Sequence, residues 1–166
     1  MADIHGVVRT DLMYGTDDRS GLASVKYMGE DGTTETEIDN GCVLKLGALL
    51  DAENDREIFI GEVPTGSEEL DEVVLIATPE LMYDERKHNL YEFYNEAGRV
   101  CRGYKFHPGD IFSVTAEALE GSPAVDSTVA LAAGVKLEVG GAGTQVGTII
   151  AEETDDIYTY YVIKIG

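Results

Sequence analysis

Three histidines, two cysteines and 32 carboxylates are the groups in this 166-residue chain best equipped for acid–base, thiol or metal chemistry. His5 stands in a turn-rich N-terminal stretch, His88 in a helix-like stretch, and His107 in the turn His107-Pro108-Gly109-Asp110. None has a second ligand at metal-type spacing, and none sits beside a Ser, Cys or Thr in a nucleophile–base motif. Cys42 and Cys101 lack a CxxC partner, so neither zinc nor dithiol redox chemistry is supported. They read as reduced structural thiols, with a lone disulfide between them left open.

The sharpest metal candidate is Asp51-Ala52-Glu53-Asn54-Asp55. Asp51, Glu53 and Asp55 fall at positions 1, 3 and 5 of a calcium loop, and Glu62 at position 12. Position 6 is Arg56 where a glycine makes the sharp turn, and the flanks read as strands, so a solvated acidic turn is expected instead. Close acid pairs such as Asp155-Asp156 arise by abundance. A glycosidase presents its carboxylates in an aromatic-lined cleft; this chain has no Trp, and its nine tyrosines cluster near the helix-like stretch and the last strand. Gly140-Gly141-Ala142-Gly143-Thr144 lacks the Lys-Ser/Thr pair of a phosphate loop and the βαβ setting of a dinucleotide loop, so it reads as a β-turn. The residues thus predict no catalytic group, no cofactor and no metal, and a protein that is not an enzyme.

Charge narrows the partners. Lys and Arg number 12 against 32 acids, a formal net charge of −20. A phosphate backbone is held by Lys and Arg that displace its counterions, so nucleic acid is excluded as a partner. An anionic membrane surface is excluded for the same reason. No apolar run approaches the ~20 residues of a membrane span. The start, Met1-Ala2-Asp3-Ile4-His5-Gly6, predicts no secretory leader. The expected partner brings positive charge, or assembly buries apolar patches and leaves the acidic faces in water.

The elements that must position these groups are mostly strands. Hydrophobic residues make up 43% of the chain, enough for one packed unit. Residues 1–40 are rich in turn chemistry, as in Gly15-Thr16-Asp17-Asp18 and Gly29-Glu30-Asp31-Gly32. They are expected to form an extended N-terminal arm, in which Val7-Val8 and Leu22 to Met28 add a strand to a neighbour. Residues 41–166 read as a β-rich domain. Val73-Val74-Leu75-Ile76-Ala77 is a continuous apolar run, as for a strand covered on both faces. One short helix is expected within 79–98, near 84–96, where Leu90, Phe93 and Tyr94 share a face and Gly98 supplies a stop. A barrel-like meander is expected over 110–166. In it, Thr128–Leu131 and Val135–Val139 flank an Ala132-Ala133-Gly134 loop with Gly134 left-handed, and residues 157–165 alternate as the closing strand. The fold class is mainly β: a small β-barrel or sandwich with one short helix and an N-terminal arm.

The runs Pro79-Glu80-Leu81-Met82-Tyr83-Asp84-Glu85-Arg86, Leu90 to Arg99 and Arg102 to Thr115 resemble small head proteins of tailed bacteriophages. The C-terminal pattern of Val135-Lys136-Leu137, Gly143 to Ile150 and Tyr160 to Ile165 resembles the β-barrel of capsid decoration, or cement, proteins. Together the similarity covers residues 41–166. It implies a structural virion protein on the capsid exterior, assembled in the host cytoplasm, that binds the major capsid protein as a homotrimer and stabilises the shell; no catalytic residues come with it. The rivals are a minor capsid or tail-associated structural protein, and a calcium-dependent binding module built on Asp51, Glu53, Asp55 and Glu62.

Overall fold

A computed structural model describes residues 4–12, 21–84, 86–87 and 89–166, with the side chain of Asp55 left outside the description. Glu85 and His88 lie outside the described residues. The strands are β1 Leu22–Tyr27, β2 Val43–Asp51, β3 Asp55–Glu62, β4 Val73–Ile76, β5 Val100–Lys105 and β6 Ile111–Thr115. They continue as β7 Leu119–Glu120, β8 Thr128–Ala130, β9 Leu137–Val139, β10 Gln145–Thr154 and β11 Thr159–Ile165. The first five close a barrel in the order β1-β3-β2-β4-β5, and the other six form a sheet in the order β6-β11-β10-β8-β9-β7. The protein is mainly β, as its short apolar runs and glycine-rich turns predict.

β4 explains why the two sheets form one body. All four of its side chains are buried. Val74 and Ile76 point into the barrel, where Val25, Leu44, Cys42 and Cys101 surround them. Val73 and Leu75 point the other way, into a second core with Phe112, Val129, Ile149 and Ile163. Side chains alternate along a strand, so a continuous apolar run serves two cores at once. Full burial of an aliphatic side chain stabilises by about 1.5–3 kcal/mol, so this one strand anchors both layers.

The described N-terminal residues, 4–12 and 21–40, pack against their own chain instead of standing off as an arm. Val7 and Val8 are each 2% exposed. Thr115 N donates to Val7 O at 3.1 Å, Arg9 N donates to Ser113 O at 3.0 Å, and Val8 bridges Val114. β1 is a wall of the barrel, parallel to β3 through Ser24↔Ile58 and antiparallel to β5 through Val25↔Cys101. The strand character expected for residues 22–28 is present, but its partners belong to the same chain. Intramolecular pairing prevails because β3 and β5 would otherwise carry open edges.

The expected helix over 84–96 is absent among the described residues; a single 3₁₀ turn, Leu90–Glu92, stands there. Phe93 is buried at 3% exposure, and Asn95 and Ile38 exchange two backbone hydrogen bonds at 2.9 Å. That β-type bridge, satisfying buried backbone groups, outweighs a weak helical preference two or three turns long. The hairpin of β8 and β9 forms as expected, with Val129 opposite Val139. Its loop, residues 131–136, is longer than three residues, however, and Gly134 is not left-handed.

Between β3 and β4 the chain crosses from one layer to the other through Pro64–Leu70. Glu68, 6% exposed, holds this crossing. Its carboxylate accepts from Thr65 N and Thr65 Oγ1, both at 2.8 Å, and from Gly66 N at 3.0 Å. Thr144 N donates to Gly66 O at 2.9 Å and Gly134 N to Pro64 O at 3.2 Å, tying the crossing to the second sheet.

Candidate functional site

Four segments far apart in sequence meet in a surface groove of about 420 Å³. The N-terminal residues Ile4 to Val7 form one wall, the 3₁₀ turn at Tyr91 another, and Thr115 to Glu117 the floor. The last wall is the entry to β11, Ile157 to Tyr161.

Each wall has a local cause. Asp155 Oδ1 accepts from Ile157 N at 3.0 Å and Tyr158 N at 2.7 Å, the side-chain-to-backbone pattern by which an aspartate closes a turn. These backbone donors hold the Asp155 carboxyl below the usual carboxylate range. The closed turn leaves Ile157 67% exposed at the rim. Tyr158 points back across the groove, where its phenol oxygen accepts from Tyr91 N at 3.3 Å. Tyr91 is set by Asn89, whose Nδ2 donates to the Tyr91 phenol oxygen at 2.9 Å. The rings of Tyr91 and Tyr158 lie 6.4 Å apart and tilted by 56°.

On the N-terminal wall His5 Nδ1 meets Asp39 Oδ1 at 2.6 Å, and the imidazole stacks on Tyr94 with centroids 4.9 Å apart. His5 N donates to Tyr91 O at 3.0 Å, fastening the segment to the 3₁₀ turn. Gly6 follows because nothing larger fits: a Cβ there would lie 2.6 Å from the Asn40 carbonyl oxygen. The close approach lets Val7 and Val8 enter the second core while Ile4 stays 64% exposed. A histidine–carboxylate pair orients an imidazole. Among the described residues lining the groove no serine or cysteine stands beside it to be activated. What the groove offers is aromatic faces, two exposed aliphatic side chains and the exposed carboxylate of Glu117.

The structure disperses the residues singled out by sequence spacing. Asp51 closes the β2–β3 hairpin turn, its Oδ1 accepting from Glu53 N at 3.2 Å and Asn54 N at 3.1 Å. Glu62 lies at the far end of β3 from Asp55, about 23 Å away at the rise of a strand, and opposite Lys45. Glu62 is therefore held away from the Asp51 turn, because a hairpin replaces the looped, helix-flanked geometry a calcium loop requires. Among the described residues no group of three or more His, Cys, Asp or Glu side chains is placed to hold a metal ion. His107 pairs loosely with Asp110 at 3.5 Å within its own turn. Cys42 and Cys101 are free and buried in the barrel. Burial pushes the Cys42 thiol up to about 12 and the Cys101 thiol up to about 11. The Gly140–Gly143 stretch is a turn, with Gln145 Nε2 donating to Gly141 O at 3.0 Å.

The groove itself escapes a reading by motif, because His5 and Asp39 are 34 positions apart and Tyr91 and Tyr158 are 67 apart. The visible signal is the clustering of tyrosines in the two stretches that meet there. No protein-family model matches the chain, and no curated protein or solved structure shows significant similarity to it.

Proposed function

We propose that this chain is a non-enzymatic structural module that docks on the outer surface of a tailed-phage capsid lattice, as a trimer, and stabilises the shell. The observation that carries this reading is an open apolar and aromatic groove displayed on a unit whose net charge is −20. Exposed Ile4 and Ile157 beside the tyrosines give the groove an apolar face on which another protein can dock. The same charge is repelled by packaged DNA, which favours the exterior of a shell. Two cores sharing β4 make the unit stiff, so docking costs little ordering entropy. The sequence resemblance over residues 41–166 points the same way.

The mode of attachment differs from strand donation by an arm. Residues 4–12 and 22–27 pack within their own chain, so attachment uses preformed surface. On a lattice, neighbouring copies raise one another's effective concentration, and modest single contacts suffice.

The test is to mix the purified protein with capsids built from the candidate major capsid protein, sediment them, and measure the temperature at which they rupture. Binding near one copy per lattice position and a raised rupture temperature are expected. A protein that stays in the supernatant and leaves the rupture temperature unchanged refutes the reading, and a few copies per particle assigns it to a connector or tail instead. Sedimentation equilibrium at micromolar concentration tests the trimer.

A further inference from the structure

Elsewhere in this protein, three aromatic faces are covered by the chain's own cations. The Arg9 guanidinium lies 5.2 Å above the Tyr160 ring, Lys87 Nζ 5.0 Å above Tyr94, and Arg99 5.3 Å above Phe93. Such contacts contribute about 0.5–1 kcal/mol at exposed sites. The groove is built of the same material without the cation. Among the described residues no Lys or Arg lines it, and none stands over Tyr91, Tyr158 or Tyr161. Glu117 on its floor is exposed and has no ion-pair partner among the described residues. Ile4 and Ile157, 64% and 67% exposed, also line it.

We propose that the groove is the anchor site for a lysine- or arginine-bearing segment of the protein partner. The aliphatic stem of such a side chain covers Ile4 and Ile157, and its cationic head reaches the tyrosine faces and Glu117. Long basic side chains combine an apolar stem with a charged end, which is the pairing the groove presents. Charge decides the partner: a chain with 32 acids and 12 bases draws a cationic segment in and holds an acidic one off. A neutral oligosaccharide would use the rings but gain nothing from Glu117 or from the net charge. This inference rests on the docking reading above and names the face and the chemistry of the contact.

The probe is the peptide acetyl-Gly-Lys-Gly-Arg-Gly-amide, titrated into the full isotope-labelled chain at physiological ionic strength and followed by amide correlation spectra. Saturable shifts at Tyr91, Glu117, Tyr158 and Thr159 are expected, and none with the glutamate version of the peptide. Glu117→Gln should weaken binding about threefold to fivefold, the range of a partly exposed ion pair. Glu37→Gln removes the same charge from an exposed site outside the groove and should leave binding unchanged. Both side chains are exposed, so both variants should melt like the parent. Equal weakening by the two variants, shifts scattered over the surface, or maltohexaose moving the groove amides where the peptide does not, would each overturn the proposal. The capsid experiment separates it from its premise. If Glu117→Gln with Ile157→Ala loses the peptide but still sediments fully with capsids, the groove is not the anchor although docking stands. If the peptide binds at the groove and no capsid retains the protein, the groove chemistry stands and the capsid reading falls.

Discussion

Replacing Glu68 by alanine should cost more stability than any other substitution of a charged side chain in this protein. The carboxylate accepts three hydrogen bonds, from Thr65 N, Thr65 Oγ1 and Gly66 N, at 2.8, 2.8 and 3.0 Å. Thr65 is exposed, so water replaces the lost acceptor there at small cost; Gly66 is buried, and its N–H is orphaned. An orphaned buried donor costs about 1–3 kcal/mol, and losing the two charge-assisted bonds at Thr65 adds about 1 kcal/mol after rehydration. The sum is about 2–4 kcal/mol, which lowers the melting temperature by about 4–16 °C in a chain of this length. Glu68→Gln keeps one acceptor oxygen and should lose about half as much. The pH dependence follows from the carboxyl itself. Burial alone would raise it, but the hydrogen bonds from Thr65 and Gly66 more than offset this and hold it below its ordinary value. A group lowered on folding stabilises fully above its unfolded value, near about 4.3. That contribution is lost as the pH falls through the lower folded value. The difference between parent and Glu68→Gln, measured by urea titration, should therefore be constant from neutral pH down to about 5 and shrink below about 4. A Glu68→Ala melting temperature within about 1 °C of the parent would refute the assignment of this carboxylate as the fastener of the crossing.

Two further outcomes follow from the double core and the buried thiols. Val74→Ala and Leu75→Ala cut into opposite faces of β4, and each should destabilise by about 2–4 kcal/mol in calorimetry; a tolerated change at either would show that its face is not packed. Cys42 and Cys101, 2% exposed each with thiols raised by burial, should resist an aromatic disulfide reagent at pH 8 in the folded protein and react together on unfolding; rapid labelling of one thiol in the native state would contradict the closed barrel.

Several elements were legible from residue order alone. The run Val73–Ala77 announced a strand covered on both faces, and β4 is one, because the strand's two-residue period leaves no other way to bury four successive apolar side chains. The alternation over 135–139 and 157–165 marked β9 and β11. The helix expected over 84–96 gives way to a 3₁₀ turn. Leu90, Phe93 and Tyr94 share a helical face, but the same stretch meets Ile38, 57 residues before Asn95, and the bridge between them takes the backbone. Local propensity is a fraction of a kcal/mol per residue and yields to such long-range pairing.

Residue order by itself therefore determined the β class, the two-sided strand and the −20 charge. Those properties depend on side-chain period and on summed charge, which are local or additive. Only the tertiary structure decided that β1 closes a barrel against β3 and β5 instead of reaching for a neighbour, and that Glu62 stands at the far end of β3 from the Asp51–Asp55 turn. It alone brought Ile4, Tyr91, Glu117 and Tyr158 to one groove. Those outcomes depend on which distant segments pair, and chain closure over such separations is set by the shared burial of two cores rather than by any short run of residues.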